Sequence, residues 1–210
     1  MSGAFRTLTE GARMRGTTTL LLTACLIASG CGDFFEEPGA GGAGGSAGGI
    51  AGAGGNPRFL ANCSSGPLEA PLPDCQPEPL ESTGDAYADC VTRINQLRWE
   101  CQCLPPLARW TGGEECADQH AEYDSTRGPH AGFRDDICSE GGYAQNECPG
   151  WPSSGRVITG CLQAMWDEGP GEPYSAHGHY INMTNPGYTA VACGFYETPD
   201  GQVWSVQNFQ

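Results

Sequence analysis

The chain reads GHYINMTNPGYTAVACGF from Gly178 to Phe195. A histidine lies near the start of this stretch, a polar turn with Asn185-Pro186 follows, and the remainder has the apolar, β-rich composition of a strand. His179 is one of only four histidines in the chain, and its imidazole can bind a metal or exchange a proton near neutral pH. The order of residues predicts a functional histidine on a loop that leads into a β-sheet.

Three helices are predicted ahead of this stretch from apolar residues at helical spacing. They are expected to begin after Ser82-Thr83-Gly84-Asp85, at Gly113, and at Gly155 or Arg156, and to end before Leu104-Pro105-Pro106-Leu107, at about Ser125, and at Glu168. Residues 127–154 are rich in Gly, Pro and Cys. We expect an irregular backbone there, held by disulfides.

The end of the chain predicts a β-hairpin. Residues 188–198 and 202–209 have strand composition, and Pro199-Asp200-Gly201 between them is suited to a tight turn. Helices followed by a hairpin predict an α/β fold in which helical layers cover a small sheet.

The first 31 residues predict a secretory signal peptide. A positively charged region is followed by an apolar run at residues 17–30 that is too short to span a bilayer. Ala28-Ser29-Gly30-Cys31 resembles a bacterial lipobox, which predicts lipidation of Cys31. Leu22-Thr23-Ala24-Cys25 is a second candidate, and an ordinary signal peptide without a lipid is the other alternative.

Composition divides the remaining chain into three segments. Residues 32–55 are dominated by Gly and Ala and predict a flexible tether. Residues 56–82 form an N-terminal extension that carries Cys63 and Cys75, and residues 83–210 form the main domain. The tether and the lipobox together predict attachment to a membrane at the bacterial cell envelope, with secretion as the alternative.

The charge of the chain argues against a nucleic-acid partner. The formal net charge is −15 at pH 7, and all ten basic residues are arginines. A polyanion would be repelled by such a surface. Solubility or cation binding explains the acidic balance better.

Ten of the twelve cysteines follow Cys31. An even number behind a signal peptide predicts up to five disulfides and export to an oxidising compartment. A zinc ribbon is disfavoured because the sequence has no Cys-x2-Cys pair. The connectivity does not follow from the sequence, and the first pairing to test is Cys138 with Cys148.

Five short segments carry a further signal. They are Ile94-Asn95-Gln96-Leu97-Arg98, Leu104-Pro105-Pro106-Leu107 with Trp110, Ala117-Asp118-Gln119-His120-Ala121, Met165-Trp166-Asp167-Glu168, and Gly178-His179-Tyr180 with Asn182, Asn185-Pro186 and Tyr188. In this order they resemble the CAP superfamily of cysteine-rich secretory, antigen 5 and pathogenesis-related 1 proteins, or SCP domain, as a bacterial lipoprotein-type member. The resemblance implies a disulfide-rich α-β-α sandwich with a small antiparallel sheet between helical layers.

The same resemblance implies an open cleft with two histidines and two acids. Matched position by position, these are His130, His179 and Glu168, while the family's Gly-Glu-Asn triplet is Ala144-Gln145-Asn146 in this chain. The two histidines could hold Zn²⁺ or another divalent cation. Gln145 can orient a ligand or water but cannot act as a general base.

Neighbouring residues are assigned less direct roles. Tyr180 and Trp166 are expected at the cleft, together with Asn146. His120, in the middle of the second helix, is expected to serve packing or to lie at the surface, and His177 is expected outside the site.

Three functions are compatible with these observations. The first is an envelope-tethered binding module for a lipid, sterol, envelope component or protein, because proteins of one fold differ widely in activity. The second is a metal-dependent hydrolase of peptide or cell-wall material, with Glu168 as the base. The third is a structural envelope protein without a ligand.

Overall fold

A computed structural model describes residues 63–210. The predicted signal peptide, the lipidation candidates Cys31 and Cys25, and the tether at 32–55 lie outside the described residues. The α-helices are α1 (Ala86–Gln102), α2 (Glu114–Arg127), α3 (Ala131–Arg134), α4 (Ser154–Arg156), α5 (Leu162–Asp167) and α6 (Tyr174–Thr184). The strands are β1 (Ala108–Arg109), β2 (Ala144–Trp151), β3 (Ala190–Glu197) and β4 (Val203–Phe209).

The three predicted helices are confirmed, with small changes at their ends. Asp85 caps α1 by accepting hydrogen bonds from the backbone of Tyr87 and Ala88. Cys103, with a φ of 56°, ends α1 in a left-handed conformation. The third predicted helix is α4 and α5 joined by the π-helical segment Val157–Cys161.

Asn95 and Arg98 of α1 fix the connection that follows the helix. The Asn95 amide donates to the Leu107 carbonyl at 2.9 Å and accepts from the Leu107 N–H at 2.7 Å. The buried Arg98 guanidinium donates to the carbonyls of Pro105 and Met183. Burial lowers the pKa of Arg98 to about 10. Carbonyl oxygens therefore take the place of a counter-ion at this guanidinium, and they join α1 to the end of α6.

The four strands form one sheet in the order β1-β3-β4-β2. The predicted hairpin is confirmed as β3 and β4, which pair antiparallel with Cys193 opposite Gln207. The prediction of irregular backbone at 127–154 is wrong for β2, which pairs antiparallel with β4. Pairing with a distant strand supplies the hydrogen bonds that composition did not indicate, and the register shifts between Cys148 and Trp151, where Pro149-Gly150 interrupts the ladder.

The predicted loop around His179 is a helix, so that prediction is wrong. The helix α6 starts after Pro173 and contains both Gly178 and His179. A Cβ at Gly178 would lie 3.1 Å from the ring of Tyr174, one turn earlier. Gly178 therefore does not end the helix. Its missing side chain leaves space for the Tyr174 ring to pack against the helix backbone.

Helices cover both faces of the sheet, which confirms the α-β-α sandwich. One face packs on α2 through Ala117, Ala121, Ala192 and Val206. The other face packs on α1, α5 and α6 in a larger core that includes Leu97, Leu162, Met183 and Phe209. The closest approach is at Gly194 of β3, where a Cβ would lie 2.2 Å from the backbone of Ala117.

The five predicted disulfides are confirmed, but the suggested pairing of Cys138 with Cys148 is wrong. The bridges are Cys63–Cys103, Cys75–Cys101, Cys90–Cys193, Cys116–Cys138 and Cys148–Cys161. Cys148 lies on β2 and is buried against the π-helical segment, whereas Cys138 lies beside α2. Proximity in sequence therefore did not predict the pairing, because Cys148 faces the larger core on one side of the sheet and Cys138 lies beside α2 on the other.

The described part of the N-terminal extension is attached to α1. Two of the disulfides join Cys63 and Cys75 to the end of α1 and its cap, and the N–H groups of Leu68 and Leu72 donate to carbonyls of α1. Within residues 63–210, no helix has the length and the apolar character that crossing a bilayer requires.

Gly194→Ala should lower the free energy of unfolding by about 1–3 kcal/mol, because the added methyl must push α2 away from the sheet. Denaturant unfolding of the two proteins measures the difference. Gly155→Ala is the matched control, since its Cβ would meet only the Ser153 hydroxyl at 3.9 Å. Equal losses for the two variants would contradict close packing at Gly194.

Candidate functional site

His179 lies on α6 with its ring held by Glu168. The Glu168 carboxylate accepts the backbone N–H of His179 at 3.0 Å and its Nδ1–H at 2.5 Å. Both carboxylate oxygens are therefore engaged by one residue. The ring is 35% exposed, and no group among residues 63–210 hydrogen-bonds its Nε2 atom.

His130 lies across from α6, at the start of α3. It follows Gly128-Pro129 and adopts a left-handed backbone with a φ of 62°, which is uncommon for a residue with a side chain. Its N–H donates to Glu147 at 2.7 Å, and its Nδ1 lies 2.8 Å from Oε1 of Gln145. These two bonds to β2 hold the residue in a conformation that costs free energy on its own.

Gln145 links His130 to the buried His120. Its Nε2 donates to Nδ1 of His120 at 3.0 Å and to Oδ1 of Asn208 at 3.2 Å. Because its amide nitrogen is used in this way, its Oε1 accepts from Nδ1–H of His130. Nδ1 of His130 is therefore the donor in this bond, as Nδ1 of His179 is in the bond to Glu168, so the neutral form of each ring has its lone pair on Nε2.

Asn146, the next residue of β2, holds α6 in place. Its Nδ2 donates to the His179 carbonyl at 3.0 Å, and its Oδ1 accepts from Asn182 at 2.9 Å. Asn182 also donates to the Gln145 carbonyl at 3.3 Å. Asn146 is fully buried, so it supports the cleft from beneath and does not line it, contrary to the prediction.

The two histidines line one depression. Its walls are His130, Gln145, Tyr174, Ser175, Gly178, His179 and Asn182, and its volume is about 180 Å³. A wider groove of about 430 Å³ adjoins it and shares His130, Gln145, Tyr174 and Asn182. The structure thus brings together His130, His179 and Gln145, with Glu168 behind the ring of His179.

Tyr180 and Trp166 were predicted at the cleft, and the structure places both elsewhere. Tyr180 is buried, donates to Gln102 at 2.6 Å, and packs edge-on against Trp166. Successive residues of a helix point about 100° apart, so the residue after His179 faces the core. His177 also lies outside the depression, with its Nδ1 bonded to the carbonyls of Glu168 and Gly169.

A pair of buried acids lies beneath His130. Asp124 and Glu147 are 0% and 4% exposed, and Oδ2 of Asp124 and Oε1 of Glu147 have no hydrogen-bond partner among the described residues. Burial, reinforced by the neighbouring Asp124, raises the pKa of Glu147 to about 8. Burial also raises the pKa of Asp124. Glu147 shares a strand face with Gln145, but it binds the His130 backbone and does not replace the missing cleft carboxylate.

Three further potential metal ligands cluster at Cys116, His120 and Cys138, whose ligand atoms lie within 4.8 Å of one another. The two cysteines are joined in a disulfide, so their sulfurs are not thiolates. Nδ1 of His120 accepts from Gln145 and Asn208, which places its proton on Nε2, the atom facing the sulfurs. Burial lowers the pKa of His120 and keeps the ring neutral. With the disulfide formed, this cluster does not fit a metal.

His130 and His179 are chemically better suited to bind a divalent cation. Neither Nε2 atom has a hydrogen-bond partner among the described residues, and each ring is oriented by an acceptor at Nδ1, the usual arrangement of metal-bound histidine. Glu168 cannot be a third ligand without giving up its bonds to His179. Water or a bound molecule would have to complete the coordination.

A second cavity, of about 160 Å³, lies between α1 and the α4 region. The buried Arg93 lines it, with its Nε unpaired among the described residues. We take the histidine cleft as the candidate site because it alone of the two combines paired imidazoles with neighbouring hydrogen-bonding groups.

Sequence reasoning missed the role of Tyr174. Its hydroxyl donates to Asn182 at 3.3 Å, and its ring forms a wall between the two depressions. Tyr174, Gly178 and Asn182 are spaced four residues apart, which in a helix places them on one face. The sequence would have indicated this face only if residues 174–184 had been predicted to be helical.

A family model for the cysteine-rich secretory protein family (CAP) matches residues 91–209. The match covers more than half of the chain, and it includes both histidines, Gln145 and Glu168. The protein therefore belongs to the CAP superfamily. A comparison with curated proteins found no match.

The raised pKa of Glu147 predicts that the free energy of unfolding falls as pH rises. Between the ordinary pKa of 4.5 and about 8, the folded protein keeps a proton that the unfolded chain releases. The contribution of this group to the free energy of unfolding is therefore greatest below pH 4.5. It decreases by on the order of a few kcal/mol as the pH rises from 4.5 to about 8. Denaturant unfolding across this range measures the slope.

Glu147→Gln should flatten that slope, because an amide of nearly the same shape does not titrate. Glu122→Gln, at an exposed position of α2, is the matched control and should keep the slope of the parent. A variant at Glu147 with an unchanged slope would show that this carboxyl is not the group that titrates.

Proposed function

We propose that this CAP protein is an extracytoplasmic binding module whose ligand cleft lies between His130 and His179, with a divalent cation such as Zn²⁺ held by the two Nε2 atoms. The observation that carries the proposal is the fixed orientation of both rings, by Gln145 at 2.8 Å and by Glu168 at 2.5 Å. A bound cation would offer an open coordination position to a ligand atom.

The arrangement of carboxylates favours binding over hydrolysis. A hydrolase needs a general base within reach of the reacting water. Glu168 has both oxygens bonded to His179, and Glu147 is buried with one oxygen bonded to the His130 backbone. Gln145, at the position where the family resemblance implies an acid, cannot accept a proton.

An extracytoplasmic location is supported by the five disulfides, which persist in oxidising compartments. We propose that Cys31 carries a lipid and that residues 32–55 tether the domain to the envelope membrane. Mass spectrometry of the native N-terminus tests this proposal: an unmodified Cys31 in the mature protein overturns it.

Purified protein should bind about one zinc ion per chain, and the His130→Ala/His179→Ala variant should bind none. Titration calorimetry and elemental analysis after dialysis measure the stoichiometry. His177→Ala is the control, because its Nδ1 is bonded to backbone carbonyls outside the depression, and it should keep full binding. Zinc that stays in the double variant would exclude this cleft as the metal site.

Gln145→Glu should strengthen zinc binding by about 10-fold or more, because a carboxylate at Nδ1 makes His130 a more basic ligand. Glu168→Gln should weaken zinc binding to a similar degree for the converse reason. Competition with a chelator of known affinity measures both effects. If both variants bind as the parent does, the acceptors behind the rings do not tune the site.

A further inference from the structure

The groove beside the histidines is lined by aromatic rings that the fold leaves exposed. Tyr143 is 79% exposed and Tyr174 is 55% exposed, and Phe133 and Tyr188 line the same groove. The volume of about 430 Å³ is in the range of small-molecule sites. Exposed rings around a concave surface are a common feature of ligand recognition.

The groove and the adjoining depression carry no Asp, Glu, Lys or Arg on their walls. Apart from the tyrosines, the histidines are the only side chains on these walls that can carry a charge. The chain has a net charge of −15, so an anionic ligand would be repelled. A cationic organic ligand would find no carboxylate at the walls. Apart from the metal ion proposed at the two imidazoles, these conditions favour a neutral ligand.

Several polar atoms at these walls are free to bind it. Nδ2 of Asn185 and the hydroxyls of Ser175 and Tyr143 have no hydrogen-bond partner among residues 63–210. They provide donors and acceptors at the rim of a surface that also offers flat apolar rings. A ligand that matches both needs an apolar face and several hydroxyl groups.

Two contacts fix the position of the Tyr174 ring before a ligand binds. Its ring packs over Gly178, and its hydroxyl is bonded to Asn182, which is itself bonded to β2. A ring with a fixed position loses little conformational freedom when a ligand stacks on it.

We propose that the groove binds a short neutral glycan, with pyranose rings stacked on Tyr174 and Tyr143 and hydroxyls bonded to the free polar atoms of the rim. A pyranose has a face of C–H groups and an edge of hydroxyls, which is the combination that these walls match. The proposal deepens the proposed function and rests on it, because it takes the same cleft as a binding site.

The structure disfavours other occupants. An extended peptide would add to the edge of β2, but Asn182 already bonds the Gln145 carbonyl there. A lipid chain would bury the amides and imidazoles of the walls without replacing their hydrogen bonds to water.

Titration of the protein with chitotetraose, cellotetraose, maltotetraose and mannotetraose, followed by calorimetry and by tyrosine-ring NMR shifts, tests the proposal. At least one of the four should bind. Tyr174→Ala and Tyr143→Ala should each weaken that binding by about 10-fold, equivalent to about 1.4 kcal/mol. Tyr143 is so exposed that its loss leaves folding intact, and Tyr174→Phe should keep most of the affinity because it keeps the ring.

Trp99→Ala is the matched control, since Trp99 is an exposed aromatic on α1 that lines neither depression, and its affinity should equal that of the parent. Failure of all four glycans to bind, or binding that is insensitive to both tyrosines, overturns the proposal. Penta-alanine and phosphatidylcholine vesicles serve as additional probes. Binding of either one through Tyr174 in place of glycans would overturn the glycan proposal while the proposed binding function stands; zinc titration reports on the metal separately.

Discussion

Two adjacent amides of β2 determine the geometry of this protein's cleft. Gln145 and Asn146 point to opposite sides of the strand, as consecutive strand residues do. Gln145 bonds the ring of His130, and Asn146 bonds the backbone of α6 at His179. One strand therefore sets the positions of two histidines that come from separate helices. Both amides are buried and fully occupied, so displacing either one would leave polar groups unpaired in the core.

The acidic groups around the cleft hold the two histidines in position. Glu168 fixes the ring and backbone of His179, while Glu147, buried near Asp124, supports the strained backbone of His130. Carboxyls engaged in this way hold loops and rings in place, and they are poorly available to reacting water. This is the physical reason to interpret the site as a place of binding. The exposed tyrosines and free rim hydroxyls beside it extend the same surface.

Sequence and structure agree where local rules govern. The N-cap at Asp85, the turn at Pro199-Asp200-Gly201 and the helical spacing of apolar residues each depend on a few neighbouring residues, and each was predicted correctly. They disagree where long-range packing decides. A strand in a Gly- and Cys-rich run, a helix through Gly178, and the partner of Cys148 all depend on contacts between separate elements. Pairing of β2 with β4, and the bond from Asn146 of β2 to α6, outweighed local preference there.

The sequence by itself determined the order of the five segments that resemble the family and the number of cysteines, which allows five disulfides. It also determined the acidic charge and the presence of Gln145 where the resemblance implies an acid. Those are matters of residue identity. Only the tertiary structure decided which nitrogen of each histidine is free, that Tyr180 faces the core, and that Tyr174 forms a wall of the cleft. These depend on which groups satisfy one another's hydrogen bonds once helices and strands pack together, and no spacing along the chain specifies that pairing.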